Sequence, residues 1–115
     1  MSHEKIARLV ALSDLAFAQA ASVLQGLKAR ENDLRAEFDA LEGTSTTPLD
    51  VADQLAQASN LRAHAVWKDE QKIRINQALA LNRAEQAAAR QDASLAFGRQ
   101  QAAQALAHRA ETQKR

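Results

Sequence analysis

Apolar residues recur along the first third of the chain with spacings that alternate between four and three. Nine of the eleven positions in this series are apolar. A pattern of this kind, sustained over about five heptads, is typical of the a/d seam of a left-handed coiled coil. We therefore predict a first helix over about residues 3–42, with Ser2 as its N-cap. The series is Ile6, Val10, Ser13, Phe17, Ala20, Leu24, Leu27, Glu31, Leu34, Phe38 and Leu41.

The composition changes abruptly after this series, in the stretch LEGTSTTPLD, which holds the only proline. Gly43 follows the last seam residue, where a left-handed C-terminal cap is favoured. Thr47 suits an N-cap and Pro48 suits the first position of a following helix. A gap of about five residues is common between antiparallel helices and short for an interdomain linker. We predict a turn at 43–47 and a second helix over about 48–112.

The second helix has a weaker apolar pattern, because charged residues interrupt any single seam. Small residues keep a helical spacing instead, in one stripe that suggests a partner helix. If the hairpin folds back symmetrically around the turn, roughly the last 25 to 30 residues have no partner helix. We therefore predict that residues beyond about 83 meet another protein. The stripe consists of Leu81, Ala84, Ala88, Leu95, Gly98, Ala102 and Ala105.

The composition supports an all-α fold. Alanine supplies 27 of the 115 residues, whereas glycine, tyrosine and β-branched residues are few. Alanine favours helix strongly and buries little area, which favours an elongated helical object with a narrow seam. The predicted fold is a single all-α domain over residues 1–115, an antiparallel two-helix coiled-coil hairpin with a longer second helix.

The sequence contains few residues in arrangements that would suggest a catalytic or metal-binding site. There is no cysteine, and the three histidines His3, His64 and His108 lie far apart in the sequence. We predict no enzyme activity, no cofactor and no metal site, with exposed or structural histidines. Trp67, the single tryptophan, is predicted to pack across the hairpin seam or to shield its edge; the alternative is an exposed anchor for a protein partner.

Charge is distributed unevenly along the chain. Residues 1–71 carry seven Lys/Arg against eleven Asp/Glu, a balance of −4, and residues 72–115 carry eight against three, a balance of +5. A solvated basic face is the default interpretation; the functional one is a docking surface for an acidic protein groove, since guanidinium groups pair bidentately with carboxylates. Nucleic acid is disfavoured because acidic residues interrupt the basic stretch and Phe97 is its single aromatic residue, too few to stack successive bases. The candidate partner-binding residues are Arg83, Arg90, Phe97, Arg99 and Arg109.

The N-terminal apolar stretch is interrupted by Arg8 and Asp14. It falls short of the roughly 20 consecutive apolar residues that span a bilayer. We predict no membrane span and a cytoplasmic location, with a peripheral position at the inner face of the membrane left open. The oligomeric state also stays open, because seam residues can pair within one chain or between two chains.

The opening IARLVALSDLAFAQAASVLQGLKARENDLRAEFDAL, a short break and then a long helix rich in Ala, Arg and Gln resemble the flagellar export protein FliJ family and its injectisome counterparts. The resemblance implies an antiparallel coiled coil similar to the central stalk of rotary ATPases. It also implies a non-enzymatic stalk or adaptor of a type III export apparatus, whose terminal ends engage the hexameric export ATPase and which communicates with the export gate. The alternative is a small export chaperone or a general coiled-coil scaffold that binds an amphipathic partner helix.

Overall fold

The chain is an all-α two-helix hairpin, as predicted from the heptad pattern. A computed structural model describes residues 2–43 and 51–113. Helix α1 spans His3–Glu42 and helix α2 spans Val51–Gln113. Most of the turn predicted at 43–47, and the helix start predicted at Pro48, lie outside the described residues.

The two ends of α1 differ in how well the sequence predicted them. The N-cap at Ser2 is confirmed: its hydroxyl oxygen accepts the N–H of Lys5 at 3.3 Å, and its carbonyl accepts the N–H of Ile6 at 3.1 Å. The left-handed cap at Gly43 is wrong, because Gly43 has no positive φ. Its N–H instead donates to the carbonyl of Asp39 at 2.9 Å. This is the i to i−4 hydrogen bond of an α-helix, so α1 ends without reversing its handedness.

The seam predicted for α1 is confirmed. All eleven positions of the heptad series, from Ile6 to Leu41, are buried or half-buried. Outside the series, among the described residues of α1, only Asp14 and Ala21 are not exposed. The spacing of apolar residues therefore fixed which face of this helix is turned inward.

The chain divides into two compact units, each formed by a stretch of α1 and a stretch of α2. The central unit is Arg30–Arg83. Its core consists of Leu34, Ile75 and Leu79, packed by Phe38, Leu41 and Ala78. Glu31 lies 3.8 Å from Arg83, and Glu42 lies 2.7 Å from Lys72. From the first pair to the second, the residue number rises by eleven on α1 and falls by eleven on α2, so the two helices of this unit are antiparallel.

The ion pair between Glu42 and Lys72 lies beside the end of α1. The Nζ atom of Lys72 is 5.9 Å from the centre of the Phe38 ring. A hydrogen bond from Lys72 and the charge of Lys72, with a smaller contribution from the charge of Lys68, lower the pKa of Glu42 below its usual 4.5. Because this pKa is lowered, the stabilisation is present above pH 4.5 and is lost as the pH falls through the lowered value.

The terminal unit consists of Met1–Ala29 and Ala84–Arg115. The side-chain amide of Gln100 donates to the carboxylate of Asp14 at 2.8 Å, and the rings of Phe17 and Phe97 lie 5.6 Å apart at 55°. From the first contact to the second, the residue number rises by three on α1 and falls by three on α2, so the helices of this unit are antiparallel as well. Its buried apolar residues are Ile6, Ala89, Ala96 and Ala103.

The predicted register of the hairpin is wrong. Residues near 100 contact the N-terminal part of α1, so the end of α2 is paired, whereas it was expected to be free. The other end of α2 extends beyond α1: Glu42, the last residue of α1, lies beside Lys72, and residues 51–71 of α2 continue past this point. The connection is therefore not the symmetric centre of the hairpin.

The seam of α2 explains why the sequence did not show this register. Eleven of its buried and half-buried positions alternate by three and four, as in a coiled coil, but few of these eleven hold large apolar residues. The predicted stripe from Leu81 to Ala105 is exposed. The seam positions are Lys72, Ile75, Leu79, Asn82, Gln86, Ala89, Ala93, Ala96, Gln100, Ala103 and Ala107.

Trp67 lies on the part of α2 that continues past α1. Its side chain is 48% exposed, and its ring stacks on His64 at 5.7 Å and 22°. The contact described for Trp67 is within its own helix, and its packing across the hairpin seam or shielding of the seam edge stays a prediction. All described side chains from Asn60 to Trp67 are exposed.

Two helical glycines offer a direct test of this fold. A Cβ atom added at Gly26 or Gly98 would meet nothing within 4 Å. Alanine loses less backbone entropy than glycine on folding, so we expect Gly26→Ala and Gly98→Ala to raise the free energy of unfolding by about 0.5–1 kcal/mol each. Urea unfolding followed by circular dichroism measures both. Because the two sites are far apart, the double variant should show the sum; a loss of stability in either variant would contradict the packing described.

Candidate protein-binding surfaces

The five residues predicted to bind a partner do not all belong to one unit. Arg83 belongs to the central unit, where its side chain is 61% exposed. It shares the carboxylate of Glu31 with Arg35, whose Nη2 atom is 2.7 Å from the same Oε1 atom. Glu31 is a half-buried seam residue, so Arg83 takes part in an ion cluster that holds the two helices of this unit in register.

Arg90 and Phe97 belong to the terminal unit and lie one heptad apart beside the seam. The Nη2 atom of Arg90 donates to the amide oxygen of Gln86 at 3.3 Å. Phe97 is 49% exposed and packs its ring against Phe17, a seam residue of α1. Each residue therefore has one side in contact with the seam and the other side open to solvent.

Arg99 and Arg109 are exposed residues of the terminal unit. The carbonyl of Arg109 accepts the hydroxyl of Thr112 at 3.0 Å. In the part of the chain that the structure describes, neither guanidinium group is in an ion pair. The terminal unit therefore holds four of the five predicted residues, Arg90, Phe97, Arg99 and Arg109.

An apolar groove runs between the two helices of the terminal unit. We call it the terminal groove. Its first part has a volume of about 410 Å³ and is lined by Leu9, Leu12, Ala16, Ala96, Arg99 and Leu106, among others. Its second part, of about 250 Å³, is lined by Ala16, Gln19, Ala20, Val23, Ala89 and Asp92. Because Ala16 lines both parts, they form one continuous groove.

A sequence signal for the terminal groove exists but was not used in the prediction. Positions 9, 12, 16, 19 and 23 also alternate by three and four, and four of these five residues are apolar. The first half of α1 thus carries a second apolar stripe beside its seam. Leu12 is 65% exposed and Val23 is 59% exposed. A helix with two such stripes has more apolar surface than one partner helix can cover.

No protein-family model matches this chain, and the comparisons with curated proteins and with solved structures found no similar protein.

Helix α1 is long and apolar enough to cross a membrane by length and composition. The core helix of a soluble protein or a signal sequence passes the same test, so the finding assigns no location. Only 11% of the apolar window is buried, whereas a core helix is mostly buried. The apolar character of α1 therefore reflects exposed side chains, including those of the terminal groove.

The histidines do not form a ligand site in the part of the chain that is described. No group of three or more His, Asp or Glu residues there could hold a metal ion. His64 stacks on Trp67, and the carbonyl of His108 accepts the hydroxyl of Thr112 at 3.2 Å. The surfaces that the structure offers for function are therefore the terminal groove and the basic residues of α2.

Proposed function

We propose that this chain is a non-enzymatic coiled-coil stalk or adaptor of a bacterial flagellar or type III protein export apparatus, which engages the export ATPase through its terminal unit. The observation that carries the proposal is the long antiparallel hairpin whose terminal unit presents the exposed arginines Arg90, Arg99 and Arg109. A helical pair of this kind can transmit position or torque, and guanidinium groups fit acidic protein surfaces. The export setting rests on the resemblance of the sequence pattern.

Substitution of two arginines tests this proposal. We expect Arg90→Gln with Arg109→Gln to weaken binding to the export ATPase about tenfold, since two exposed ion pairs of roughly 0.7 kcal/mol each give a factor of ten. Isothermal titration calorimetry with the purified hexamer measures the affinity. The matched control is Arg62→Gln with Arg74→Gln, which removes the same charge from exposed positions of α2 in the central unit. Equal binding by both double variants would count against the proposal.

Point substitutions are needed because truncation would remove more than the binding residues. Cutting the chain after residue 85 would delete the α2 residues that contact Asp14 and Phe17. The N-terminal part of α1 would then lose its partner helix. A loss of binding by the truncated chain would therefore reflect unfolding of the terminal unit, not the removal of a contact with the partner.

The alternative function is a small export chaperone or a general scaffold that binds an amphipathic partner helix. The terminal groove favours it, because grooves lined by apolar side chains accept the apolar face of a helix. Under this alternative, Arg90→Gln with Arg109→Gln leaves partner binding intact, whereas Leu12→Lys abolishes it. The two functions therefore predict opposite responses from the same pair of variants.

A further inference from the structure

We infer that the terminal groove binds an amphipathic helix of another protein, whose apolar face is flanked by a carboxylate and a basic side chain about two helical turns apart. The inference rests on the alternative function of the chain, binding of a partner helix, and specifies the chemistry of that helix. It does not depend on the export ATPase. Three features of the groove carry it: its length, its exposed apolar walls and its two charges.

The terminal groove has the length of an interface between helices. Its lining extends from Leu9 to Val23 on α1 and from Ala89 to Leu106 on α2. At a rise of about 1.5 Å per residue, these stretches are about 21 Å and about 25 Å long. A partner helix of about 14 to 17 residues has the same length. The groove is therefore long enough to hold about four turns of a third helix along both of its walls.

The walls of the groove offer apolar area that the helix pair does not bury itself. Leu12 and Val23 are more than half exposed, whereas the buried apolar residues of the terminal unit are Ile6 and three alanines. Alanine contributes little apolar area, so the seam of this unit gains little from its own burial. The apolar face of a third helix would cover the exposed side chains of the second stripe of α1.

One charged side chain lines each part of the groove. Arg99 lines the first part and Asp92 the second. Both are exposed, and neither is in an ion pair within the residues that the structure describes. They are seven residues apart, so they lie on one face of α2, about 10 Å apart along its axis. A partner helix meets both when it carries side chains of opposite charge at the same spacing, as flanking charges do in coiled coils.

The presence of both signs of charge favours a protein helix over lipid. An anionic headgroup would be attracted to Arg99 and repelled by Asp92. Acyl chains in the groove would surround both groups with an apolar phase that offers no counter-ion. A helix supplies an apolar face and two opposite charges at fixed positions, so it satisfies the whole lining of the groove.

The test measures binding of synthetic helical peptides to the full-length chain. Each peptide has about three heptads with an apolar face of leucine and alanine, and two charged positions seven residues apart beside that face. Two mixed peptides carry glutamate and lysine in either order, and a third carries glutamate at both positions. We expect the wild-type chain to bind the better mixed peptide about fivefold more tightly than the Glu–Glu peptide, because lysine pairs with Asp92 and glutamate is repelled by it. Fluorescence anisotropy of labelled peptide measures the affinities.

A charge reversal in the groove should invert this preference. With Asp92→Arg, the Glu–Glu peptide should bind about fivefold more tightly than either mixed peptide. The matched control is Glu111→Arg, which makes the same charge change at an exposed position of the terminal unit outside the groove lining. It should keep the wild-type preference. Leu12→Lys should weaken binding of every peptide at least about tenfold, and circular dichroism checks that each variant is helical.

The possible results separate the inference from the function on which it rests. Peptide binding that needs Leu12 but shows the same preference in the wild type and in Asp92→Arg would overturn the inference and leave the alternative function standing. Absence of binding by all three peptides, or binding unaffected by Leu12→Lys, would overturn both. Self-association that is tighter than any peptide binding, measured by sedimentation equilibrium, would assign the groove to a second copy. Co-sedimentation with phosphatidylcholine–phosphatidylglycerol vesicles that Leu12→Lys abolishes would assign it to lipid, and either result would overturn the inference.

Discussion

Leu34→Ala will lower the free energy of unfolding by about 2–4 kcal/mol, the usual range for removing a large aliphatic side chain from a packed core. Leu34 is 3% exposed and contacts Ile75 and Leu79 in the core of the central unit. These are the largest buried residues of that unit, so little remains to fill the space that is left. Urea unfolding followed by circular dichroism at 222 nm measures the effect.

The matched control for this variant is Leu81→Ala, which removes the same atoms from a side chain that is 62% exposed. We expect a change within about 0.5 kcal/mol. A loss of similar size in both variants would show that Leu34 does not lie in a specific core. The comparison also tests the seam of α2, since Leu81 belongs to the stripe that the sequence suggested and the structure places outside the seam.

Ala103→Asp tests the pairing of the C-terminal part of α2. Ala103 is 3% exposed, and an aspartate there would move a carboxylate from water into the space between the helices. We expect a loss of about 2–3 kcal/mol, with the N-terminal part of α1 losing protection from amide hydrogen exchange, because the two segments of the terminal unit support each other.

The control for Ala103→Asp is Ala105→Asp, because Ala105 is exposed on the same helix two residues away. It has the same cost in helix propensity and should change stability by about 0.5 kcal/mol. If residues beyond 83 had no partner helix, as the sequence suggested, the two variants would behave alike. Hydrogen exchange at one protein concentration for all samples distinguishes the two arrangements.

The two-helix fold could be predicted from the apolar pattern of α1. The register, that is, which residues of α2 lie beside which residues of α1, could not. Bulky residues such as Ile6, Leu34 and Phe38 mark the seam of α1, because large apolar side chains at heptad spacing leave few alternatives. In α2 only Ile75 and Leu79 are large apolar seam residues, and the rest of the seam consists of alanines and of polar residues such as Asn82 and Gln86. Their spacing is correct, but hydrophobicity does not distinguish them from the exposed Ala and Gln residues around them.

Polar residues help to select one register in a seam of this kind. Asn82 in the central unit is 5% exposed, and Gln86 in the terminal unit is 2% exposed. Among the described residues, no buried side-chain polar atom lacks a hydrogen-bond partner. A shift of either helix would separate the polar pairs that join the two helices, Asp14 with Gln100 and Glu42 with Lys72, so these pairs favour one register. This information lies in pairs of residues across the hairpin, which a single-chain pattern does not reveal.

The candidate site was predictable in part for a related reason. Exposure of Arg90, Arg99 and Arg109 follows from their charge, and the sequence placed them on the C-terminal part of α2. The terminal groove needs two helices at a known register, so it could not be located from one helix alone. Leu9, Leu12 and Val23 signal a second apolar face on α1, but which residues of α2 complete that face depends on the register.

The position of Trp67 has a practical consequence for optical measurements. The chain has one tryptophan and no tyrosine, so its near-ultraviolet emission comes almost entirely from this one indole. Trp67 lies on the stretch of α2 that continues past the end of α1, with its ring half open to solvent and stacked on His64. Intrinsic fluorescence therefore reports on this stretch of α2 and on whatever binds it, and it reports less directly on the opening of the seam.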